Sequence, residues 1–294
     1  MSKKVTQETN KNKSKELDQF YTHPDYAKSF MSIINNNVQI SKYDIQLEPS
    51  AGSGNFFNLL DVNKRIGLDI DPKVEEIQKI DFFSWEYPID KSIISIGNPP
   101  FGKNASLAIK FFNYSAKFSE CIAFVLPRTF RKTSVINRLD ENFHLIFDET
   151  VPDNSFIFEN KSYNVPCCSQ IWMKKPEKRE KTPTFKISQL SEYFEIVKPE
   201  FSDFSVQRVG GKAGQIRTDD RKNFSELSNF FIKAHKDFVL DIFKEIKFDS
   251  VKHNTAGNPS VSPSELVELF VDKAKNMGYT ITLKSLPDKS NGKK

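Results

Sequence analysis

The sequence predicts a doubly wound α/β fold: a mostly parallel seven-stranded sheet with an antiparallel last strand, plus a small C-terminal extension. Seven short apolar segments of strand-like length occur before residue 176, and segments with helical spacing separate several of them. Such alternation is typical of a parallel sheet with right-handed connections and helices on both faces. The last two segments follow each other without a helix, so we expect them to pair antiparallel. The predicted strands are 43–49, 64–71, 77–83, 91–97, 121–127, 143–150 and 167–175.

Helices are predicted from apolar spacing and capping residues. The first begins near Thr22 or His23, where a capping side chain precedes Pro24, and ends at the asparagine run 35–37. Further helices are expected to begin in three places: with the segment FFNLLD (56–61), at Pro72, and with SLAIKFFNYSAKF (106–118).

The chain organisation changes near residue 176. The polar, lysine-rich segment 1–16 is predicted to be a disordered tail, and residues 17–176 form the main domain. A charged, proline-containing stretch then leads into a C-terminal extension, 177–294, which is predicted to be partly helical around residues 225–246 and 262–278.

The composition is that of a globular intracellular protein. The chain has 294 residues, of which 38% are hydrophobic and 28% charged, and the formal net charge is +5. That charge permits a polyanionic partner but is equally consistent with a plain solvated surface. Cys121, Cys167 and Cys168 do not have the spacing of a disulfide framework or a zinc site. We expect a reducing interior (cytoplasm, nucleus or, for a viral protein, the host cell), with no metal and no membrane segment.

The first predicted strand leads into a glycine-rich turn. Gly52 and Gly54 allow a tight turn and close approach of a ligand to the backbone. A dinucleotide-binding turn would have a third glycine where this chain has Phe57, and the Gly-Lys-Ser/Thr of a phosphate loop is also missing. The turn therefore favours a nucleoside-type ligand without a pyrophosphate, although a glycine pair alone is a weak signal.

An acidic residue ends the second predicted strand. Asp69 lies 17 positions after Gly52, close to the offset of about 20 residues at which a carboxylate binds ribose hydroxyls. Asp71 precedes Pro72 and is interpreted as a helix N-cap instead.

The third predicted strand also ends at a carboxylate. Asp81 is a candidate acceptor for an adenine amino group, and the neighbouring Phe82 is a candidate to pack on the ring. A turn or a helix cap remains an equal alternative for Asp81.

The fourth predicted strand ends in Asn98-Pro99-Pro100-Phe101. The two prolines stiffen the loop and remove two backbone donors. Their carbonyls and the Asn98 amide oxygen form a rigid set of acceptors, with the Phe101 ring beside them. This combination suits an exocyclic amino group on a planar ring, although an Asn-Pro-Pro turn by itself is common.

In these motifs the chain resembles the class I S-adenosylmethionine-dependent amino-methyltransferases, and most closely the adenine-N6 DNA methyltransferases. The resemblance covers residues 17–176, and the order of its motifs is similar to the gamma arrangement of that family. It implies a Rossmann-like fold and S-adenosylmethionine as cofactor. The motifs that carry it are the capping segment QFYTHPDYA (19–27), the glycine motif LEPSAGSGNFF (47–57), the catalytic loop NPPF (98–101) and the strand and loop CIAFVLPRTF (121–130).

The resemblance implies two groups of site residues. The catalytic group is Asn98, Pro99, Pro100 and Phe101. The cofactor-binding group is Phe20, Tyr21, Thr22, Glu48, Pro49, Ala51, Gly52, Gly54, Asp69, Asp81, Phe82 and Asn98. Asn98 and Pro99 would accept hydrogen bonds from the target amine, and Phe101 would stack on the target base.

The identity of the target polymer stays open at this point. The glycine motif and the capping segment favour adenine in DNA over RNA. Methyltransferases of RNA adenine-N6, RNA guanine-N2 and protein glutamine use the same kind of loop, and a non-catalytic scaffold subunit is a further alternative. Basic residues in 207–222 are candidates for phosphate contacts, or for plain surface.

Overall fold

A computed structural model describes residues 21–158, 161–219 and 223–285 of the chain. The predicted disordered tail, 1–16, lies outside the described residues. The chain divides into two compact units, Met1–Thr182 and Pro183–Lys294. None of the helices within the described ranges is both long enough and apolar enough to cross a membrane.

The described part of the first unit contains ten strands and three α-helices. The helices are α1 Pro24–Asn37, α2 Ser106–Ser115 and α3 Thr133–Ile136. The strands are β1 Tyr21–Thr22, β2 Ile45–Glu48, β3 Arg65–Asp69, β4 Gln78–Lys79, β5 Ile93–Gly97, β6 Ser119–Pro127, β7 Phe143–Thr150, β8 Phe156–Phe158, β9 Lys161–Tyr163 and β10 Cys167–Lys174.

Seven of these strands form the predicted sheet, in the order β4-β3-β2-β5-β6-β10-β7. Strand β2 pairs in parallel with both β3 and β5, while β10 pairs antiparallel with both β6 and β7. The predicted fold class is therefore confirmed, including the antiparallel last strand. The strand order reverses at β2 and β5, because the chain runs outward from β2 to β4 and then returns to the other side of β2. Ligands of doubly wound sheets bind at such a reversal.

The sheet is covered on both faces because apolar residues alternate along its central strands. In β6, Cys121, Ala123 and Val125 share one apolar cluster with α1. Ile122 and Phe124 belong to the cluster on the opposite face, which includes α2. This period of two is that of a strand whose side chains point alternately to each face.

Two predicted helices are wrong. Residues 56–61 form only a 3-10 turn at Phe57–Leu59, because the Phe57 ring is buried against the Gly67 backbone. The contact is so close that a Cβ on Gly67 would lie 2.7 Å from the ring. No helix begins at Pro72 in the described chain, because residues 70–77 alone connect β3 to β4. A helical crossover needs about a dozen residues or more.

A second, three-stranded sheet of order β1-β8-β9 lies in the same unit. Its outer strand β1 is the segment that the sequence places over a cofactor, and β8 and β9 form a hairpin between β7 and β10. Tyr21 pairs with Ile157 and Thr22 with Phe156. The hairpin therefore fixes the backbone of the capping segment.

The second unit has its own antiparallel sheet, of order β11-β14-β12-β13. Aromatic and aliphatic residues from its strands and helices form one buried cluster, with Phe204, Phe243 and Phe270 among its members. Its strands are β11 Phe194–Ile196, β12 Phe204–Gln207, β13 Ile216–Arg217 and β14 Asn229–Ala234. Its helices are α4 Val239–Glu245, α5 Asp249–Lys252 and α6 Pro263–Asn276.

The helix predicted over 262–278 is confirmed as α6, which begins with a reciprocal cap between Ser262 and Glu265. The helix predicted over 225–246 is wrong in its first half, because Asn229–Ala234 is β14. Phe230 and Ile232 lie two positions apart and both join the buried cluster, so tertiary packing selects the strand period.

Candidate active site

A cavity of about 370 Å³ opens at the carboxyl ends of β2, β3 and β5, beside the point where the strand order reverses. Its size is within the usual range for small-molecule sites. The walls come from the capping strand β1, the glycine turn, the ends of β3 and β5, and one side of α2.

Most of the predicted site residues line this cavity. Gly54 does not, and it packs against the side chains of Val74 and Asn58 instead. Pro99 and Phe101 also lie outside the lining, and Phe20 lies outside the described residues. The predicted residues in the lining are Tyr21, Thr22, Glu48, Pro49, Ala51, Gly52, Asp69, Asp81, Phe82, Asn98 and Pro100.

The glycine turn is shaped by Gly52, whose φ of +46° favours glycine. Its N–H donates to Asp69 Oδ2 at 2.7 Å, and its carbonyl accepts from the Lys73 N–H at 3.0 Å. A Cβ at position 52 would lie 2.8 Å from Tyr21 Cε1. Glycine is therefore required here for two reasons, the backbone conformation and the close approach of the capping tyrosine.

Asp69 is half-buried and braces two backbone segments. In addition to the bond from Gly52, its Oδ1 accepts from the Asp71 N–H at 2.8 Å. Each carboxylate oxygen has a further lone pair, so the group retains acceptor capacity toward the cavity. The interpretation of Asp71 as a helix cap is wrong, because no helix begins at Pro72 in the described chain. Its side chain forms an ion pair with Lys73 at 2.5 Å.

Glu48 brings a buried carboxyl group to the base of the cavity. The residue is 3% exposed, and its Oε2 has no hydrogen-bond partner among the described residues. Burial raises the pKa of this carboxyl well above its ordinary value, and the Asp69 carboxylate adds to the increase, while a hydrogen bond with the Phe57 backbone opposes it. Thr22 Oγ1, also buried and in the lining, likewise lacks a partner.

The end of the cavity beside Asp81 is aromatic. Asp81 Oδ1 accepts from the Phe83 N–H at 3.0 Å and so caps the 3-10 turn Phe82–Ser84. Phe82 is 2% exposed and stacks on Phe111 with 4.9 Å between ring centroids, so it forms the floor of the cavity.

Sequence reasoning missed several lining residues at this aromatic end. Lys110 of α2 places its Nζ 3.9 Å from the centroid of the Phe83 ring, a cation–π contact. Helix α2 was expected from its periodicity, but only tertiary packing brings it to the site. The missed lining residues here are Ile70, Ile80, Phe83, Leu107, Lys110 and Phe111.

The predicted catalytic loop borders the cavity through Asn98 and Pro100. Ser50 Oγ donates to the Asn98 backbone carbonyl at 3.2 Å, which ties the glycine turn to the loop. Phe101 is half-buried and packs against the apolar clusters on both faces of the sheet, and its carbonyl accepts from the Leu107 and Ala108 N–H groups. The loop is therefore held at its start and at its end.

The capping strand is attached at three points. Besides its pairing with β8, the Thr22 carbonyl accepts from Asn55 Nδ2 at 2.6 Å, and the His23 N–H donates to the Ser155 carbonyl at 2.7 Å. The sequence signalled the capping segment but not the hairpin that holds it. Within the described ranges, no group of three or more His, Cys, Asp or Glu residues is placed to hold a metal ion.

No protein-family model matches this chain, and no curated protein matches its sequence significantly. Among solved structures, PH1948 from Pyrococcus horikoshii, assigned as an RNA methyltransferase, is similar over 54% of this chain and 87% of its own (15% identity, TM-score 0.43). The 23S rRNA methyltransferase ErmE is similar over 46% and 63% (19% identity, TM-score 0.36). Thermoplasma acidophilum 1320 is similar over 53% and 89% (18% identity, TM-score 0.38). Likenesses this distant leave the reaction and the substrate to be argued from the site itself.

Proposed function

We propose that this chain transfers a methyl group from S-adenosylmethionine to the exocyclic N6 amine of adenine in DNA. The observation that carries the proposal is that a single cavity is bordered by both parts of the predicted machinery. The glycine turn and Asp69 line it, and so do Asn98 and Pro100 of the predicted catalytic loop. A cofactor and an amine bound at these two places would be neighbours.

The cavity has features that fit S-adenosylmethionine. The cofactor's amino acid part carries an ammonium group, and the buried Glu48 carboxyl and Thr22 hydroxyl offer it acceptors that have no partner in the described chain. The cavity end near Phe83 and Ile80 is lined mainly by apolar and aromatic side chains, which suit the faces of a purine ring.

Individual residues are assigned to parts of the cofactor as follows. Glu48 and Thr22 would hold the ammonium group, Asp69 the ribose hydroxyls, and Asp81 the adenine amine. Gly52 and Tyr21 would lie beside the methionine part. When bound, the cofactor supplies an electrophilic methyl group on a sulfonium centre.

The chain's own contribution to catalysis is positioning and electrostatics. An amine conjugated to a purine is a weak nucleophile, because its lone pair is delocalised into the ring. Acceptors at Asn98 Oδ1 and the Pro99 carbonyl would bind both N–H groups and so localise that lone pair toward the methyl group. The methylated nitrogen then loses one proton to solvent, so no protein base is needed.

A target base in a duplex must leave the helix to reach this cavity. Base flipping costs a few kcal/mol, and stacking on an aromatic side chain returns about 1–3 kcal/mol. Phe101, next in the chain to the cavity-lining Pro100, is the residue that we assign to this stacking. It is only partly exposed, so the base would contact one part of its ring.

The test is tritiated methyl transfer from S-adenosylmethionine to DNA, to RNA and to protein, measured in parallel with wild-type protein. The proposal predicts transfer to DNA above that to the other two polymers. Transfer to RNA alone or to protein alone would show that this polymer is the substrate in place of DNA, while the methyl-transfer reaction would stand. Cofactor binding without transfer to any of the three would indicate a scaffold subunit and contradict the proposed activity.

A further inference from the structure

The glycine loop of the second unit, 208–215, joins β12 to β13 and has no part in the cavity described above. The hairpin made by these two strands and the loop carries Arg208, Lys212 and Arg217. No carboxylate of the described chain lies within ion-pair distance of any of the three side chains. The nearest acidic residue in sequence, Asp219, is exposed and also forms no ion pair with them. Among the described residues, the hairpin therefore carries three cationic side chains without an ion-pair partner.

The loop is held in one conformation by backbone hydrogen bonds. The Gly214 N–H donates to the Gln207 carbonyl at 2.7 Å, and Gly214 has a φ of +90°. On its other side the Gly210 N–H donates to the Pro259 carbonyl at 2.9 Å, and the Arg208 carbonyl accepts from the Val261 N–H at 2.8 Å. A loop fixed in this way loses little conformational entropy when it binds a partner.

Arg217 is placed by neutral groups. Its Nη2 donates to Gln215 Oε1 at 2.7 Å and also to Gln207 Oε1, and its guanidinium lies 4.4 Å from the centroid of the Phe224 ring. Amide oxygens orient the guanidinium without cancelling its charge. A carboxylate partner would anchor the hairpin equally well but would neutralise the guanidinium. With amide partners, the positive charge of Arg217 remains available to an anion.

The tip of the loop adds backbone donors. Gly211 and Lys212 are exposed, and neither of their N–H groups has an acceptor among the described residues. Consecutive free N–H groups in a glycine-rich turn form a concave anion site. Lys212 adds an exposed cationic side chain to the same turn.

We propose that this hairpin binds the sugar–phosphate backbone of the nucleic acid that is methylated. The inference rests on the proposed function, which supplies a polyanion as substrate, and it adds the element that holds the polymer. Fixed cations and free N–H groups match phosphodiester oxygens without reading base sequence. The contact is therefore expected to be sensitive to salt and indifferent to sequence.

Gly211 offers a matched pair of variants to test this. A Cβ added at Gly211 meets nothing within 4 Å, and its φ is outside the left-handed range, so side chains are tolerated. Gly211→Glu and Gly211→Gln have nearly the same size and differ in charge. Fluorescence anisotropy of the full-length chain with labelled duplex DNA and with single-stranded RNA of equal length measures the affinity. We expect Gly211→Glu to bind about fivefold more weakly than Gly211→Gln, because it places a negative charge beside the phosphate.

Lys212→Ala provides an independent readout. Loss of one phosphate contact lowers the slope of log affinity against log salt concentration by about 1. Lys236→Ala, which removes an exposed lysine of the same unit, should leave that slope unchanged. Equal affinity of the two Gly211 variants, an unchanged slope for Lys212→Ala, or no binding of either polymer by the wild type would each overturn the inference.

Failure of the inference and failure of the proposed function give different results. If the wild type transfers methyl groups to DNA but the hairpin variants bind DNA normally, only the role of the hairpin is wrong. If the hairpin variants bind more weakly but no polymer is methylated, the proposed activity is wrong and the hairpin remains a nucleic-acid contact.

Discussion

Asp69 ends β3 and Asn98 follows β5, at the same edge of the sheet on either side of β2. The proposed chemistry assigns the cofactor to Asp69 and the target amine to Asn98. Asp69 accepts two backbone N–H groups, so it shapes the glycine turn as well as facing the cavity. Asn98 also lines the cavity, and its backbone carbonyl accepts a hydrogen bond from Ser50 Oγ of the glycine turn. At this scale the sequence predicted the residue types and their order, because each follows a strand. It did not predict that Asp69 supports the turn, because that requires the backbone of Gly52 to be in place.

Replacement of Asn98 tests the amine-binding role. Asn98→Ala should lower the methyl-transfer rate by at least about a hundredfold, because it removes an acceptor that acts on the developing charge. Calorimetry should show nearly unchanged affinity for S-adenosylmethionine. Asn98→Asp, which keeps an acceptor oxygen, is the control and should retain part of the activity. Full activity in Asn98→Ala would sink the assignment.

Replacement of Asp69 tests the cofactor site. Asp69→Ala should weaken binding of S-adenosylmethionine by about tenfold or more, since hydrogen bonds to a charged group contribute about 1.5–3 kcal/mol. The same change also releases the N–H groups of Gly52 and Asp71. Calorimetry measures the affinity, with Asp71→Ala as a control outside the cavity lining. An affinity equal to that of the wild type would remove Asp69 from the site.

The buried Glu48 carboxyl makes the stability of the ligand-free fold depend on pH. Because burial raises the pKa of Glu48 in the folded protein, the neutral carboxyl stabilises the ligand-free fold at low pH. That stability is lost as the pH rises from the unfolded pKa of about 4.3 through the folded value. Glu48→Gln should remove this loss, so its ligand-free melting temperature at neutral pH should exceed that of the wild type by a few degrees.

The same substitution should weaken binding of the cofactor. An amide cannot neutralise an ammonium group, so Glu48→Gln should bind S-adenosylmethionine about tenfold more weakly, or worse. Scanning fluorimetry across pH, with the exposed Glu75→Gln as a control, separates the effect from a general change of charge. Parallel pH profiles for wild type and Glu48→Gln would contradict the account.

At the scale of elements, strands were more predictable than helices. The buried strands β5, β6 and β10 contain apolar runs, and their positions, like that of the edge strand β7, agree with the sequence to within two residues. The helix expected after the glycine turn is replaced by a 3-10 turn that buries Phe57. The helix expected at Pro72 does not form because the connection from β3 to β4 is too short for one. The spacing of apolar residues within a segment does not show whether the connection between two strands is long enough for a helix.

The hairpin of β8 and β9 is the element that positions the capping strand. Ile157→Pro removes a backbone donor from the middle strand of this small sheet and should loosen the segment Tyr21–Thr22 that it pairs with. We expect faster dissociation of S-adenosylmethionine in stopped-flow measurements, with a smaller effect on the association rate. Ile157→Val, which keeps the N–H group, is the control. Equal dissociation rates for the two variants would show that the cap is held by other contacts.

At the scale of the whole molecule, the parallel core was predictable and the second unit was not. Alternating strands and helices with a glycine turn determine few topologies, and the observed order is one of them. In the second unit, β14 lies within a stretch whose periodicity suggests a helix, and its pairing with β12 depends on contacts distant in sequence. The glycine loop was visible in the sequence. Its backbone hydrogen bonds, and the lack of an ion-pair partner for its cations among the described residues, required the structure.

In the proposed reaction, the cavity holds a cofactor and an adenine amine next to each other. The most direct measurement is nucleoside mass spectrometry of DNA incubated with the chain and S-adenosylmethionine that carries a deuterated methyl group. We expect deuteromethyl label on the N6 nitrogen of deoxyadenosine with the wild type and no label with Asn98→Ala. Deoxyadenosine without label in the wild-type reaction, or label that persists in Asn98→Ala, would contradict it.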